Sequence, residues 1–164
     1  MLIFEQSKFM LILGLDPGTA ITGFGLIKYE NKKYEYITCG VISTTKGSPD
    51  EERLLIVAND LAALLKKYKP DLVGIEDLYF FKNLKTAVKV AQSRGVLMLE
   101  CARFGVQLKS LTPLQVKQSV ATYGRADKKQ VGEMVKRILN LTKVPKPDDA
   151  ADALAVAIAT SMFV

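Results

Sequence analysis

The order in which the hydrophobic period changes along the chain limits its fold more than any other feature. Residues 10–15 are a short apolar run stopped by Asp16-Pro17-Gly18, the pattern of a buried strand ending in a turn. Residues 21–29 alternate, and Gly23 and Gly25 inside them predict a second strand passing close to other backbone. Glu30-Asn31-Lys32-Lys33 reads as a hairpin turn and residues 34–43 as a third strand. Helical period starts only after this meander. Ser48 is the expected N-cap, Pro49 the first helical residue, and Leu54, Val57, Leu61, Leu64 and Leu65 mark the apolar face. Lys69-Pro70 ends that helix, and residues 71–76 form a fourth strand. Arriving through a helical crossover, it can lie parallel to a meander strand.

Residues 83–104 read as a long helix with Leu84, Val88, Ala91, Gly95 and Met98 along one face. Residues 106–110 are a fifth strand. Further helices start at Thr112-Pro113, at Asp127 and at Pro147-Asp148, the last running to Met162. The expected architecture is therefore α/β: a five-stranded mixed sheet, made of a three-stranded antiparallel meander plus two parallel strands, flanked by helices. The 164 residues suit one domain, with no internal repeat or linker. Residues 10–164 are assigned to that domain and residues 1–9 to a short N-terminal extension, with Met10 as an alternative start.

Composition restricts the chemistry. There is no histidine, so an imidazole base, a Ser-His or Cys-His pair and His-ligated zinc are all excluded. The two cysteines, Cys39 and Cys101, form no disulfide framework and read as reduced thiols of a cytoplasmic protein. No apolar run reaches the roughly 18–20 residues of a membrane span, and the N-terminus lacks a signal-peptide pattern. A net charge of +6 favours a polyanionic partner such as nucleic acid. What remains is chemistry by carboxylates, lysines, hydroxyls or a hard metal ion.

Four carboxylates stand out by position: Asp16 and Glu76 at the ends of the first and fourth strands, and Asp149 and Asp152 near the start of the last helix. The last two are three residues apart and share a helix face. Strand ends distant in sequence can converge at one sheet edge, where carboxylates repel unless a cation neutralises them, and Mg²⁺ prefers oxygen ligands. Each acid also has a plain explanation. Asp16 before Pro17-Gly18 forms turns, Glu76 could mark the strand's emergence into solvent, and acids at a helix start complement the dipole. Asp148 is read that way. Asp152 is harder to dismiss, because the small residues around it in Ala150-Ala151-Asp152-Ala153 imply close packing, and a charge there needs a partner or an ion.

In order and spacing these segments resemble the RuvC family of Holliday-junction resolvases. The matching stretches are Ile12-Leu13-Gly14-Leu15-Asp16-Pro17-Gly18 with Thr22-Gly23-Phe24-Gly25, then Gly74-Ile75-Glu76, Ala91-Gln92-Ser93-Arg94-Gly95-Val96, Gln115-Val116-Lys117-Gln118, and Asp149-Ala150-Ala151-Asp152-Ala153-Leu154-Ala155. The resemblance spans Met10 to about Met162. It implies an RNase H-like fold and a cytoplasmic homodimer that nicks opposite strands of four-way junction DNA in recombination and repair. It assigns Asp16, Glu76, Asp149 and Asp152 as catalytic metal ligands for two Mg²⁺ per site, with Mn²⁺ able to substitute. It further implies cooperation with a branch-migration complex of the RuvA and RuvB type.

The resemblance also nominates DNA contacts: Tyr79 for stacking on a junction base, and Lys117 and Lys128 for the scissile phosphate. Lys82, Lys85 and Lys89, three and four residues apart, add a basic stripe placed on the helix face away from Leu84, Val88 and Ala91. Arg125 and Lys129 are weaker candidates. Competing readings are an RNase H-like nuclease for other structured nucleic acid, a non-catalytic junction-binding module, and an actin-like ATP-binding domain. The last needs a duplicated domain, for which 164 residues give one copy.

Overall fold

The computed structural model describes residues 9–78, 83–122 and 124–164. In them the chain runs β1 (Met10–Asp16), β2 (Ile21–Glu30), β3 (Lys33–Ser43), α1 (Asp50–Tyr68), β4 (Leu72–Glu76), α2 (Leu84–Arg103), β5 (Gln107–Leu111), α3 (Pro113–Ala121), α4 (Lys128–Ile138) and α5 (Asp148–Ser161). The strands form one sheet in the order β3-β2-β1-β4-β5. β1, β2 and β3 pair antiparallel, and β4 and β5 join parallel to β1 and to each other, as the order of periods predicts. The first helix differs in one detail: Pro49 is its N-cap and no side chain caps it, so Ser48 does not take the role expected of it.

β1 is central and buried on both faces. Ile12 points into a core shared with α3, α4 and α5, whereas Leu13 and Leu15 point into a core shared with α1 and α2. Each such side chain contributes about 1.5–3 kcal/mol on leaving water, so the strand is pinned up to the residue where Asp16 emerges. α5 is buried along almost its whole length and lies across β1 and β2. Its close approach depends on small residues. A Cβ at Gly14 would strike the backbone of Ala153 and Ala157, and one at Gly23 would strike the carbonyl of Asp149.

On α2 the structure corrects the expected face. Leu84, Val88, Ala91, Gly95 and Met98 are exposed, and the helix buries Val90, Ser93, Leu97, Glu100 and Cys101 instead. Polar groups hold core positions here because each has a partner. Ser93 donates to the Gly18 carbonyl, and the Glu100 carboxylate accepts from Arg103. Hydrophobicity alone therefore selects the wrong side of this helix. Lys85 and Lys89 border the exposed apolar stripe, lining one groove with Leu84 and Val88, rather than lying opposite it.

Candidate active site

Sheet register brings the first two acids together. Leu15 pairs with Ile75 across the parallel β1–β4 ladder, so the next residues, Asp16 and Glu76, end adjacent strands side by side. Side chains alternate along a strand. Leu15 and Ile75 face α1 and α2, which turns Asp16 and Glu76 to the opposite face, where α5 lies. On the other side Asp16 pairs with Gly23, and the Asp149 carbonyl sits directly over that glycine. The absent side chain at Gly23 thus lets the first turn of α5 settle against the sheet beside Asp16. Asp152 follows one helical turn later.

Electrostatics register the convergence. Burial, then the charges of Glu76, Asp152 and Asp149, push the Asp16 carboxyl up to about 8. Burial and Asp152 push Glu76 up to about 7, opposed by Lys117 and Lys128. Asp152 is raised as well, chiefly by burial, although Lys128 holds it down through an ion pair of 3.2 Å between Nζ and Oδ2. Lys128 is itself raised by Asp152 and by the charges of Asp16 and Asp149. Asp148 points elsewhere: it is exposed, pairs with Lys146 at 2.6 Å, and is lowered by it.

The donors are all carboxylate oxygens, the chemistry of a hard divalent cation. As the side chains stand, no three acidic or cysteine residues among the described ones are gathered into a set that could hold a metal ion. Asp152 is paired instead with Lys128.

Of the nominated DNA contacts, Lys117 and Lys128 act electrostatically on the carboxylates. Lys85 is exposed on α2, and Lys89 is held by Asp50 at 3.1 Å. Tyr79 and Lys82 lie outside the described residues. Sequence reasoning gave no role to Lys146, which lines an open groove of about 480 Å³ running from Asp152 past Lys128, Lys129 and Val144. It also gave none to Ser93 and Arg94 individually, although both lie in a stretch singled out by the family resemblance. Arg94 binds the backbone of Glu76.

The family model for crossover junction endodeoxyribonuclease RuvC matches residues 12–160. A protein of that name from Ruminiclostridium cellulolyticum is 52% identical over 149 residues, covering 91% of this chain and 90% of its own. The solved structure of Thermus thermophilus RuvC matches with a TM-score of 0.87 at 31% identity, over 94% of this chain and 95% of that one. The structure of T. thermophilus RuvC in complex with a Holliday junction substrate matches with a TM-score of 0.86 at 29% identity, over 94% of both chains.

Proposed function

Since the chain belongs to the RuvC family of crossover junction endodeoxyribonucleases, we propose that Asp16, Glu76, Asp149 and Asp152 are the catalytic carboxylates with which it resolves Holliday junctions. The enzyme is a metal-dependent nuclease on an RNase H-like fold, and it binds and cuts four-way junction DNA. The single observation that carries the residue assignment is the strand register that ends β1 and β4 side by side at Asp16 and Glu76, with the first turn of α5 seated on Gly23 beside Asp16. Buried carboxylates with raised pKa values cluster at functional sites, where bound positive charge offsets them.

Two Mg²⁺ ions are the cofactor we assign, held by these four residues, with Mn²⁺ as a substitute. Bound divalent metal makes water nucleophilic at neutral pH and offsets charge on the phosphate and the leaving oxygen. The remaining work belongs to the chain. Asp16, on the central strand between Glu76 and the start of α5, would hold metal from the sheet. Glu76 and the two acids of α5 complete the set from either side. Lys117 and Lys128 supply positive charge next to the acids, where a phosphate diester must come to react, and Lys85 and Lys89 extend the basic surface along α2. Tyr79 and Lys82 are assigned to the junction on the family resemblance alone.

Paired nicks on opposite strands call for two active sites related by a two-fold axis, hence a homodimer. The exposed stripe of α2 supports this assembly. Leu84 is 78% and Val88 55% exposed, an apolar face that a second copy of the same helix would cover. We assign residues 10–164 to one nuclease domain acting in the cytoplasm alongside a branch-migration complex of the RuvA and RuvB type. Among the described residues no helix is long and apolar enough to cross a membrane.

The test is Mg²⁺-dependent cleavage of a synthetic mobile four-way junction, compared with linear duplex and RNA–DNA hybrid. Symmetric nicks in the junction alone are expected. Equal cutting of all three substrates would reject junction selectivity. Wild-type cleavage by Asp16→Asn or Glu76→Gln would reject the residue assignment.

A further inference from the structure

Two neighbouring residues of α2 hold the backbone next to both sheet-end carboxylates. Ser93, fully buried, donates from Oγ to the carbonyl of Gly18 at 3.0 Å, two residues beyond Asp16. Arg94 donates from Nε to the carbonyl of Glu76 at 3.2 Å. Its Nη2 reaches Asp77 Oδ1 at 2.5 Å and Ser110 Oγ on β5 at 2.7 Å, and its Nη1 lies 3.1 Å from Met98 Sδ. The Arg94 side chain is only 16% exposed. Beyond Glu76 the ladder continues for one more bond, from the Asp77 amide to the Leu111 carbonyl.

We propose that Arg94 is a positioning residue for cleavage: its guanidinium ties Glu76, Asp77 and Ser110 into one rigid strand end and so sets the direction of the Glu76 carboxyl, while Ser93 does the same for the turn after Asp16. The inference rests on the assignment of Glu76 and Asp16 as catalytic carboxylates. Its physical basis is the fork of the guanidinium. Several donors fixed in one plane serve a carbonyl, a carboxylate and a hydroxyl together, whereas the ammonium of lysine is a single point charge. A strand end needs such a clamp when its last side chain must hold a reacting group. There, a misplacement of about 1 Å lowers the rate by roughly a hundredfold. A simple surface ion pair would need neither the Glu76 carbonyl nor the Ser110 hydroxyl.

The experiment compares Arg94→Lys, Asp77→Asn and Ser110→Ala with the wild-type full chain. Arg94→Lys keeps the charge and loses the fork. Junction binding is measured without divalent metal, kcat and KM with Mg²⁺, and Mn²⁺ binding to the protein alone by electron paramagnetic resonance. Arg94→Lys is expected to bind junction as wild type, to lose on the order of ten- to a hundredfold in kcat with little change in KM, and to bind Mn²⁺ several-fold more weakly. Asp77→Asn and Ser110→Ala should show the same pattern in smaller degree, and they decide the matter if Arg94→Lys does not fold. Wild-type kcat and Mn²⁺ affinity in Arg94→Lys, or a loss that matches only its unfolded fraction, overturns the proposal. Asp16→Asn and Glu76→Gln serve as controls. If they cut normally, the catalytic assignment fails first; if they are inactive while the clamp variants are normal, only the positioning role fails.

Discussion

Replacing Asp16 with Asn should make the metal-free protein more stable and at the same time inactive. In the folded chain the Asp16 carboxyl is pushed from 3.8 up to about 8 by burial and by Glu76, Asp152 and Asp149. A raised carboxyl destabilises the fold wherever it is ionised in the unfolded chain and resisted in the folded one. Stability is therefore fully present below pH 3.8 and is lost as the pH climbs toward 8. Moving one carboxyl over that interval corresponds to about 6 kcal/mol at ~1.4 kcal/mol per pH unit. Burial is the largest cause, Asn is itself a polar group in the same buried place, and the neighbouring acids relax when one is neutralised, so about half of it, ~3 kcal/mol, is the expected gain from Asn at pH 8. For a domain of this length that is about 5–10 °C in Tm. At pH 5 the gain should shrink to below about 1 kcal/mol, because little of the destabilisation has yet developed. The assay is thermal melting of wild type and Asp16→Asn in chelator at pH 5 and pH 8, with junction binding and Mg²⁺-dependent cleavage alongside. An Asp16→Asn protein that melts at or below the wild type at pH 8 would show that neither burial nor the neighbouring acids burden the Asp16 carboxylate, and the electrostatic argument would fall.

Gly23→Ala should push the first turn of α5 off the sheet, since its Cβ would meet the Asp149 carbonyl. About 1–3 kcal/mol of stability and at least a tenfold loss of cleavage are expected, read by denaturant melts and a nicking assay. Lys128→Met removes the cation that lowers Asp152, Glu76 and Asp16. The acids then ionise at higher pH, so the acidic limb of the kcat–pH profile should move to higher pH, and an unmoved limb would detach Lys128 from the site. Val88→Glu places a charge in the exposed stripe of α2. Sedimentation should show the proposed dimer replaced by folded monomer, because Val88 is 55% exposed in the single chain and a charge there costs the isolated fold little; unchanged sedimentation would remove the stripe from the proposed interface.

Element order, strand pairing and three of the four helix starts with expected caps or prolines could be read locally. Hydrophobic period, turn residues and the capping boxes at Thr112 and Asp127 act over a few residues. The absence of histidine and the placing of acids at strand ends and on one helix turn narrowed the chemistry in the same way. What the chain order does not contain is distance. That Asp16 and Glu76 share the α5 side of the sheet follows from β1–β4 register. That Asp149 reaches them follows from the missing side chain at Gly23. Both are facts of packing between segments far apart in sequence. The outward stripe of α2 was misassigned for the same reason. Ser93 and Glu100 are polar by composition and buried by virtue of the Gly18 carbonyl and Arg103, partners that only folding supplies. Local pattern sets which element forms, because its forces act within a few residues. Which face each element turns inward, and how far its groups' ionisation is shifted, depends on burial and on neighbouring charges, and these exist only once the chain has closed on itself.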